Sequence, residues 1–223
     1  MVTKAGKAAK SAKQVRDAEA TKTAILDAAE AEFAQYGLNA AKTEEIAAKT
    51  GVTKAMIYYY FKSKEDLYVA VLERVFFGRY MNLIQPEELE QLPPEEALEK
   101  LIRRQIATDF HHPHLNPIQI HEALQNQGKY YKHVLTSDRA QQVFGIVTKI
   151  LERGMAQGCF RKLHPQHTVM NILGACNFYF TAYENFKYLW QGAPLLNPET
   201  VEQHAQEVVD LILAGVRNQQ TNK

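Results

Sequence analysis

The chain has 223 residues, 46% of them hydrophobic, and its 26 Lys or Arg against 25 Asp or Glu leave a formal charge of +1. That length holds a small head plus one sizeable second domain. No apolar run approaches the roughly 18 residues a membrane span needs. The N-terminus lacks the apolar core of a signal peptide, so the cytoplasm is the expected location. Cys159 and Cys176 fit neither a disulfide framework nor a CxxC metal site and read as reduced thiols.

The first twenty residues stand apart. Lys4, Lys7, Lys10, Lys13 and Arg16 recur every three residues among Ala, Gly, Ser and Gln. With few large apolar side chains, residues 1–20 cannot build a core and read as a flexible basic arm. The rival reading is an arm that meets DNA phosphates or a minor groove and becomes helical when bound. As a helix it carries a drifting basic stripe, because three residues fall short of a full turn.

Ile25, Ala28, Ala29, Phe33 and Tyr36 then mark one face of an amphipathic helix closed by Gly37. Thr43 is placed to cap a second helix whose early carboxylates, Glu44 and Glu45, suit a positive helix N-terminus. Gly51 ends that helix where a left-handed residue is wanted, and Thr53 caps a third over about 54–61. At about 100° per residue, Ile57, Tyr60 and Phe61 fall on one side, with Lys54, Ala55, Tyr58 and Tyr59 on the other. The first side suits a core. The second offers an ammonium, phenol hydroxyls and a small residue that permits close approach, as a helix in a DNA major groove requires. The plainer alternative is a helical hairpin whose exposed Tyr residues lie on a neighbouring helix. Ser63-Lys64-Glu65-Asp66 reads as a capping box opening a further helix.

Two stretches, ILDAAEAEFAQYGLNAA and EEIAAKTGVTKAMIYYYFKSKEDLY, make residues 22–72 resemble the DNA-binding domain of the tetracycline-repressor (TetR) family of bacterial transcription regulators. The Gly-Val-Thr-Lys turn, the Tyr-Tyr-Tyr-Phe run and the Ser-Lys-Glu-Asp-Leu close are the specific parts, and a match of about fifty residues in order outweighs any short motif. The resemblance implies an all-α homodimer: an N-terminal three-helix head with the helix-turn-helix, followed by a larger helical ligand-binding and dimerisation domain. It also implies that a small molecule releases the protein from its operator. Residue by residue, it sets Thr43, Thr53, Lys54, Ala55, Met56, Tyr58, Tyr59, Tyr60 and Lys64 at the DNA. Thr43 resembles a phosphate ligand; Thr53, Lys54, Ala55 and Met56 match the tip nearest the base edges; Tyr58, Tyr59, Tyr60 and Lys64 match residues that grip the backbone. Phosphate contacts carry no sequence information, so specificity falls to the tip. Lys54 suits guanine O6 and N7, and Ala55 or Met56 a thymine methyl.

Three positions depart from the family pattern: Ala55 replaces a frequent Gly, Lys42 a Ser or Thr, and Glu44 a basic or polar residue. A carboxylate at Glu44 either accepts from cytosine N4 or repels phosphate. Charge follows the same division. Residues 1–64 carry 11 Lys or Arg against 7 Asp or Glu, a balance of +4, and the remainder 15 against 18, a balance of −3. Phosphate binding wants the basic end at the helix-turn-helix.

Beyond the head every segment reads as helix, without strand-type alternation or repeats. A linking helix is expected over about 64–83, a Pro- and Glu-rich turn over 85–94, and helices over about 94–110, 118–127, 138–157, 165–190 and 198–217. The domain boundaries are therefore set at an arm of 1–20, a DNA-binding head of 21–80 (helix-turn-helix about 42–61) and an effector-binding and dimerisation domain of 81–223. NPIQIHEALQNQGKYYKHV resembles a short element of some TetR-like C-terminal domains, in which Asn-Pro and Glu precede Gly and an aromatic. Met170, Leu173, Asn177, Phe180 and Glu184, with Val201, Ala205, Val208, Leu211, Ile212 and Gly215, are the expected dimer face, on a four-helix-bundle pattern; ordinary intrachain core is the alternative.

Phe110, His121, Phe144, Phe178, Tyr179, Tyr183, Phe186 and Trp190 suit either an aromatic effector cavity or plain core. The partners expected are double-stranded operator DNA, a second copy of the chain and an unknown small-molecule effector, with no membrane and no cofactor. His111, His112, His114 and His121 offer the one alternative chemistry, a metal-responsive regulator, though their spacing matches no ligand pattern. A DNA-bound architectural protein without an effector is the other. No phosphate loop, nucleophile motif or spaced carboxylate pair points to an enzyme.

Overall fold

The computed structural model describes residues 4–80, 86–189 and 195–218. Trp190 and the expected end of the linking helix at 83 lie outside the described residues. Among the described residues, eleven α-helices and one π-helical segment follow in order: α1 Lys4–Ala40, α2 Thr43–Thr50, α3 Lys54–Phe61, α4 Lys64–Glu73, π Arg74–Tyr80, α5 Pro86–Gln91, α6 Pro94–His111, α7 Leu115–Asn126, α8 Lys129–Leu135, α9 Asp138–Ala156, α10 Pro165–Phe186 and α11 Pro198–Val216. The fold is all-α. Among the described residues no helix is long and apolar enough to cross a membrane.

The described residues up to Glu73 form one compact unit with Ile118–Tyr131. α1 packs on α2 and α4, and α3 lies against both α2 and α4. Ile25, Ala29 and Phe33 of α1 meet Ile46, Ile57, Leu67, Tyr68, Val71 and Leu72 in a buried core. Phe33 and Tyr68 pack edge to face at 5.0 Å, and Tyr68 repeats the arrangement with Tyr130 at 5.6 Å. α1 includes the basic segment from Lys4 onward and bends at Gly37, where φ is +67°.

The described residues within 74–117 and 132–223 make the second unit. α6 is its central helix, packed on α9, α10 and α11. Leu98, Ile102 and Ile106 of α6 meet Ile150, Leu151, Ile172, Val201, Val208 and Leu213 in its core. The Arg153 guanidinium donates to the carbonyls of Leu89 (3.1 Å), Glu90 (2.5 Å) and Leu92 (2.6 Å), tying the end of α5 to α9. After α9 the chain pairs with the end of α11: Phe160 and Arg217 form an isolated antiparallel bridge, and the Arg217 guanidinium meets Glu95 at 2.8 Å.

Three expectations change. The linking helix leaves α geometry after Glu73 and continues as the π segment. A short helix, α5, occupies the stretch read as a turn, and α8 lies in 129–135, where no element was assigned. On the expected dimer face, Val201, Ala205 and Val208 belong to the chain's own core, and Asn177 accepts from Gln105 at 3.4 Å. α6 takes the Val201, Ala205 and Val208 part of the α11 stripe, and Leu211 and Gly215 of the same stripe stay exposed.

Candidate nucleic-acid interface

The interface is built on a turn and two caps. α2 ends at Gly51 in the left-handed region, φ +70°, which lets the chain reverse within three residues. The Thr53 hydroxyl then accepts from the Met56 N–H at 3.3 Å and opens α3. At the far end of α3, Lys62 turns the chain with φ +58°, and the Ser63 hydroxyl accepts from the Asp66 N–H at 3.0 Å while donating to its carboxylate at 2.6 Å. Buried Glu32 sets the angle of α2, accepting from the Lys42 N–H at 3.3 Å and the Lys49 ammonium at 2.9 Å. An eight-residue helix is too short to hold itself. α3 stays because Ile57 and Phe61 are buried.

Burying those two residues turns the others outward. Thr53, Lys54, Ala55, Met56, Tyr58 and Tyr59 are exposed, Tyr59 at 81%. Tyr60 is half-buried, with its ring edge to face on Tyr59 at 5.4 Å.

Thr43 is not the cap. That position falls to Lys42, which makes no side-chain cap bond, and Thr43 is the first helical residue and is buried. Its hydroxyl is taken up otherwise, lying 3.3 Å from a Glu44 carboxylate oxygen and 3.4 Å from the Tyr58 hydroxyl. The other Glu44 oxygen receives the Lys54 ammonium, which also sits 5.8 Å from the centre of the Tyr58 ring. Each charge reinforces the other: Lys54 holds the Glu44 carboxyl below the usual carboxylate range, and Glu44 pushes the Lys54 ammonium above its own. Both are ionised at neutral pH.

An open groove of about 440 Å³ runs beside this cluster, lined by Ala41, Lys42, Thr43, Glu44, Tyr58, Lys62, Ser63, Lys64 and Glu65. Lys64 donates to the carbonyls of Asn39 (3.3 Å) and Ala41 (3.1 Å), which leaves one ammonium proton for an anion. The groove thus gathers Thr43, Tyr58 and Lys64 of the sequence-derived set, while Thr53, Lys54, Ala55, Met56, Tyr59 and Tyr60 are not among its lining residues. Lys42 and Lys62 line it and were missed; the one signal available was their place in the short links before α2 and after α3.

The described aromatic side chains of the second unit meet in pairs. Phe178 and Phe186 pair at 6.3 Å and are exposed at 63% and 38%. Tyr179 stacks on His204 at 4.0 Å, and Phe144 lies 5.9 Å from Phe76. Among the described residues no group of three or more His, Cys, Asp or Glu side chains is gathered to hold a metal ion. His121 instead meets the Gln125 amide at 2.9 Å.

A helix-turn-helix whose second helix is held by two buried residues and turns its remaining side chains to solvent defines an all-helical DNA-binding regulator. Residues 25–71 match the bacterial regulatory proteins of the tetR family, and residues 94–212 match the tetracyclin repressor-like C-terminal domain. The chain belongs to the TetR family of bacterial transcription regulators. It is 30% identical over 176 residues to the transcriptional repressor NicS of Pseudomonas putida, spanning 74% of this chain and 78% of that one. Against the transcriptional regulator RutR of Escherichia coli K12 the identity is 26% over 205 residues, 92% of this chain and 94% of the relative. The ketosteroid transcriptional regulator KstR2 of Mycobacterium tuberculosis shares the fold with a TM-score of 0.67 at 23% identity, over 89% of this chain and 95% of that structure. HlyIIR, a hemolysin II transcriptional regulator, does so with a TM-score of 0.58 at 22% identity, over 91% and 99%. Regulators of this family bind DNA and are typically dimers with small-molecule effectors.

Proposed function

We propose that this chain is a repressor that binds a pseudo-palindromic operator as a homodimer and is released by a small organic effector. The observation that carries the reading is the division of α3: Ile57 and Phe61 hold it to the head, and Lys54, Ala55, Met56, Tyr58 and Tyr59 face solvent. Residues 21–80 act as the DNA-binding head and 81–223 as the effector-binding and dimerising part. Thr53, Lys54, Ala55 and Met56 meet base edges. Tyr58, Tyr59, Tyr60 and Lys64 hold phosphates, joined by Lys42 and Lys62 from the groove, while buried Thr43 spends its hydroxyl proton on Glu44 instead of on phosphate.

Dimerisation through α10 and α11 uses the faces their own core leaves free. Met170, Gly174 and Phe178 recur four residues apart on α10, with Met170 and Phe178 exposed at 67% and 63%. On α11, Leu211 is exposed at 65%, beside exposed Ala214 and Gly215. Apolar groups this open lose water-exposed area when a second copy covers them. Two joined heads reach successive major grooves when spaced one turn, roughly 34–36 Å, apart. An effector that binds a differently spaced state better lowers operator affinity, by no more than its difference in affinity for the two states.

Binding-site selection on random duplexes tests the DNA half of the proposal, and the expected result is an enriched motif of two related halves. No enrichment overturns it. A panel of apolar and aromatic metabolites set against zinc, copper and nickel tests the effector half by operator release. Release by metals alone, lost in His112→Ala with His114→Ala, would make the organic-effector reading wrong.

A further inference from the structure

Glu44 does not stand alone at the interface. Its carboxylate, on the first turn of α2, is joined to the Lys54 ammonium on the first turn of α3, and Thr43 holds its second oxygen. The side chains of both remain accessible, Glu44 at 61% and Lys54 at 46%. The pair therefore presents a donor beside an acceptor on the surface that α3 turns to DNA.

A G·C base pair shows the complementary pattern in the major groove. Guanine O6 and N7 accept, and the adjacent cytosine N4 donates. An ammonium has protons left after one ion pair, and each carboxylate oxygen keeps a free lone pair. We propose that Glu44 and Lys54 act as one unit that reads a single G·C base pair in each half-site. Lys54 donates to guanine O6 and N7, and Glu44 accepts from cytosine N4. An A·T pair keeps the N7 acceptor but puts the adenine N6–H₂ donor where guanine O6 accepts and the thymine O4 acceptor where cytosine N4 donates, so in the same pose Lys54 loses one acceptor and Glu44 faces a carbonyl. Reversal to C·G exchanges donor and acceptor and sets ammonium against amine and carboxylate against carbonyl.

The same pairing has a consequence away from the operator. Lys54 paired with Glu44 adds no net charge toward phosphate, so the tip of α3 gains little from random DNA. Glu44 is thus a positive reader at one base pair and a brake everywhere else.

This inference rests on α3 as the recognition helix, and one experiment separates the two. Binding-site selection is run on the full-length protein, on Glu44→Gln, which keeps the shape and removes the charge, on Lys54→Ala, and on the double variant. Circular dichroism checks that each variant keeps its helices. A wild-type protein that enriches no motif sinks the recognition-helix reading itself. The expected wild-type motif holds one G·C pair per half-site that Glu44→Gln and Lys54→Ala both relax at that same position. Discrimination there should fall by about fivefold or more, the lower end of a base contact, with no further loss in the double variant. On random DNA, Glu44→Gln should steepen the dependence of log K on log salt by about 0.9, one phosphate contact, and Lys54→Ala should abolish the gain. Relaxation at two different positions overturns the proposal, because the residues then read separately. So does an unchanged motif with uniformly tighter binding, the signature of a carboxylate that merely repels phosphate.

Discussion

Glu122 shows what one buried carboxylate can do for a turn. It is 2% exposed and its charge is spread over three donors: the backbone N–H groups of Tyr130 (2.7 Å) and Tyr131 (3.0 Å) and the Asn126 amide (2.7 Å). Those two N–H groups lie in the first turn of α8, where the helix itself supplies no acceptor, so a side chain of α7 caps the next helix from seven residues upstream. Tyr68 faces the same place with the opposite balance. Its hydroxyl is buried without a hydrogen bond, and burial together with the Glu122 charge pushes the phenol well above its ordinary range. Removing each group should have opposite effects. Glu122→Ala strands two part-buried backbone donors and should cost about 1–3 kcal/mol in denaturant unfolding. Tyr68→Phe removes a hydroxyl that gains nothing and should leave stability within about 1 kcal/mol or raise it. A large loss for Tyr68→Phe would mean that a bridging water or a shifted Glu122 satisfies the phenol. Sequence reading marked the Asn-Pro, Glu and Gly-aromatic spacing of this stretch. It did not find the capping role, because α8 is seven residues long and shows its N-terminus only once the fold brings Glu122 to it.

At the scale of elements, the sequence marks helix ends better than helix geometry. Gly51, Thr53, Ser63, Ser137 and Asn197 each stand at a start or stop, and four of the five do so through a side-chain bond to a nearby N–H. Such signals are local, so they survive in a string of letters. The π segment at Arg74–Tyr80 has no comparable mark, since a π turn is an accommodation to packing rather than a propensity. α5 was hidden for a different reason. Its Pro86 and Glu-rich sequence suits a turn and a helix N-terminus equally, and the Arg153 bonds to the carbonyls at its end belong to a partner more than sixty residues away. Close approach of elements is equally invisible. In α9 a Cβ placed on Gly154 would lie 2.0 Å from the ring of Phe160, which is itself 2% exposed. Gly154→Ala must therefore push that ring or its bridge to Arg217, and should cost about 1–3 kcal/mol despite the better helix propensity of Ala. Trimming the ring tests the cause: in a Phe160→Leu background the added methyl should cost clearly less, and an equal cost in both backgrounds would refute the clash.

At the scale of the whole molecule the question is where affinity for DNA comes from. α3 supplies few full charges, since Lys54 is paired with Glu44, while Lys42, Lys62 and Lys64 ring the groove beside it. The remaining basic density lies at the front of the chain, where Lys4, Lys7, Lys10, Lys13 and Arg16 carry five charges with no acidic residue before Asp17. α1 begins at Lys4, so this segment is continuous with the helix that carries the core of the head. A helix places successive members of a three-residue repeat about 300° apart, so the five charges wind slowly around it. Deleting residues 1–18 should therefore flatten the salt dependence of operator binding, with each lost phosphate contact lowering the slope of log K against log salt by about 0.9. The motif recovered by binding-site selection should stay the same, because phosphate contacts position the protein and carry no sequence information. A slope unchanged on the same duplex would make the basic segment a solvated extension of α1. A changed motif would mean that it reads a minor groove, and the specificity assigned to α3 would then be shared.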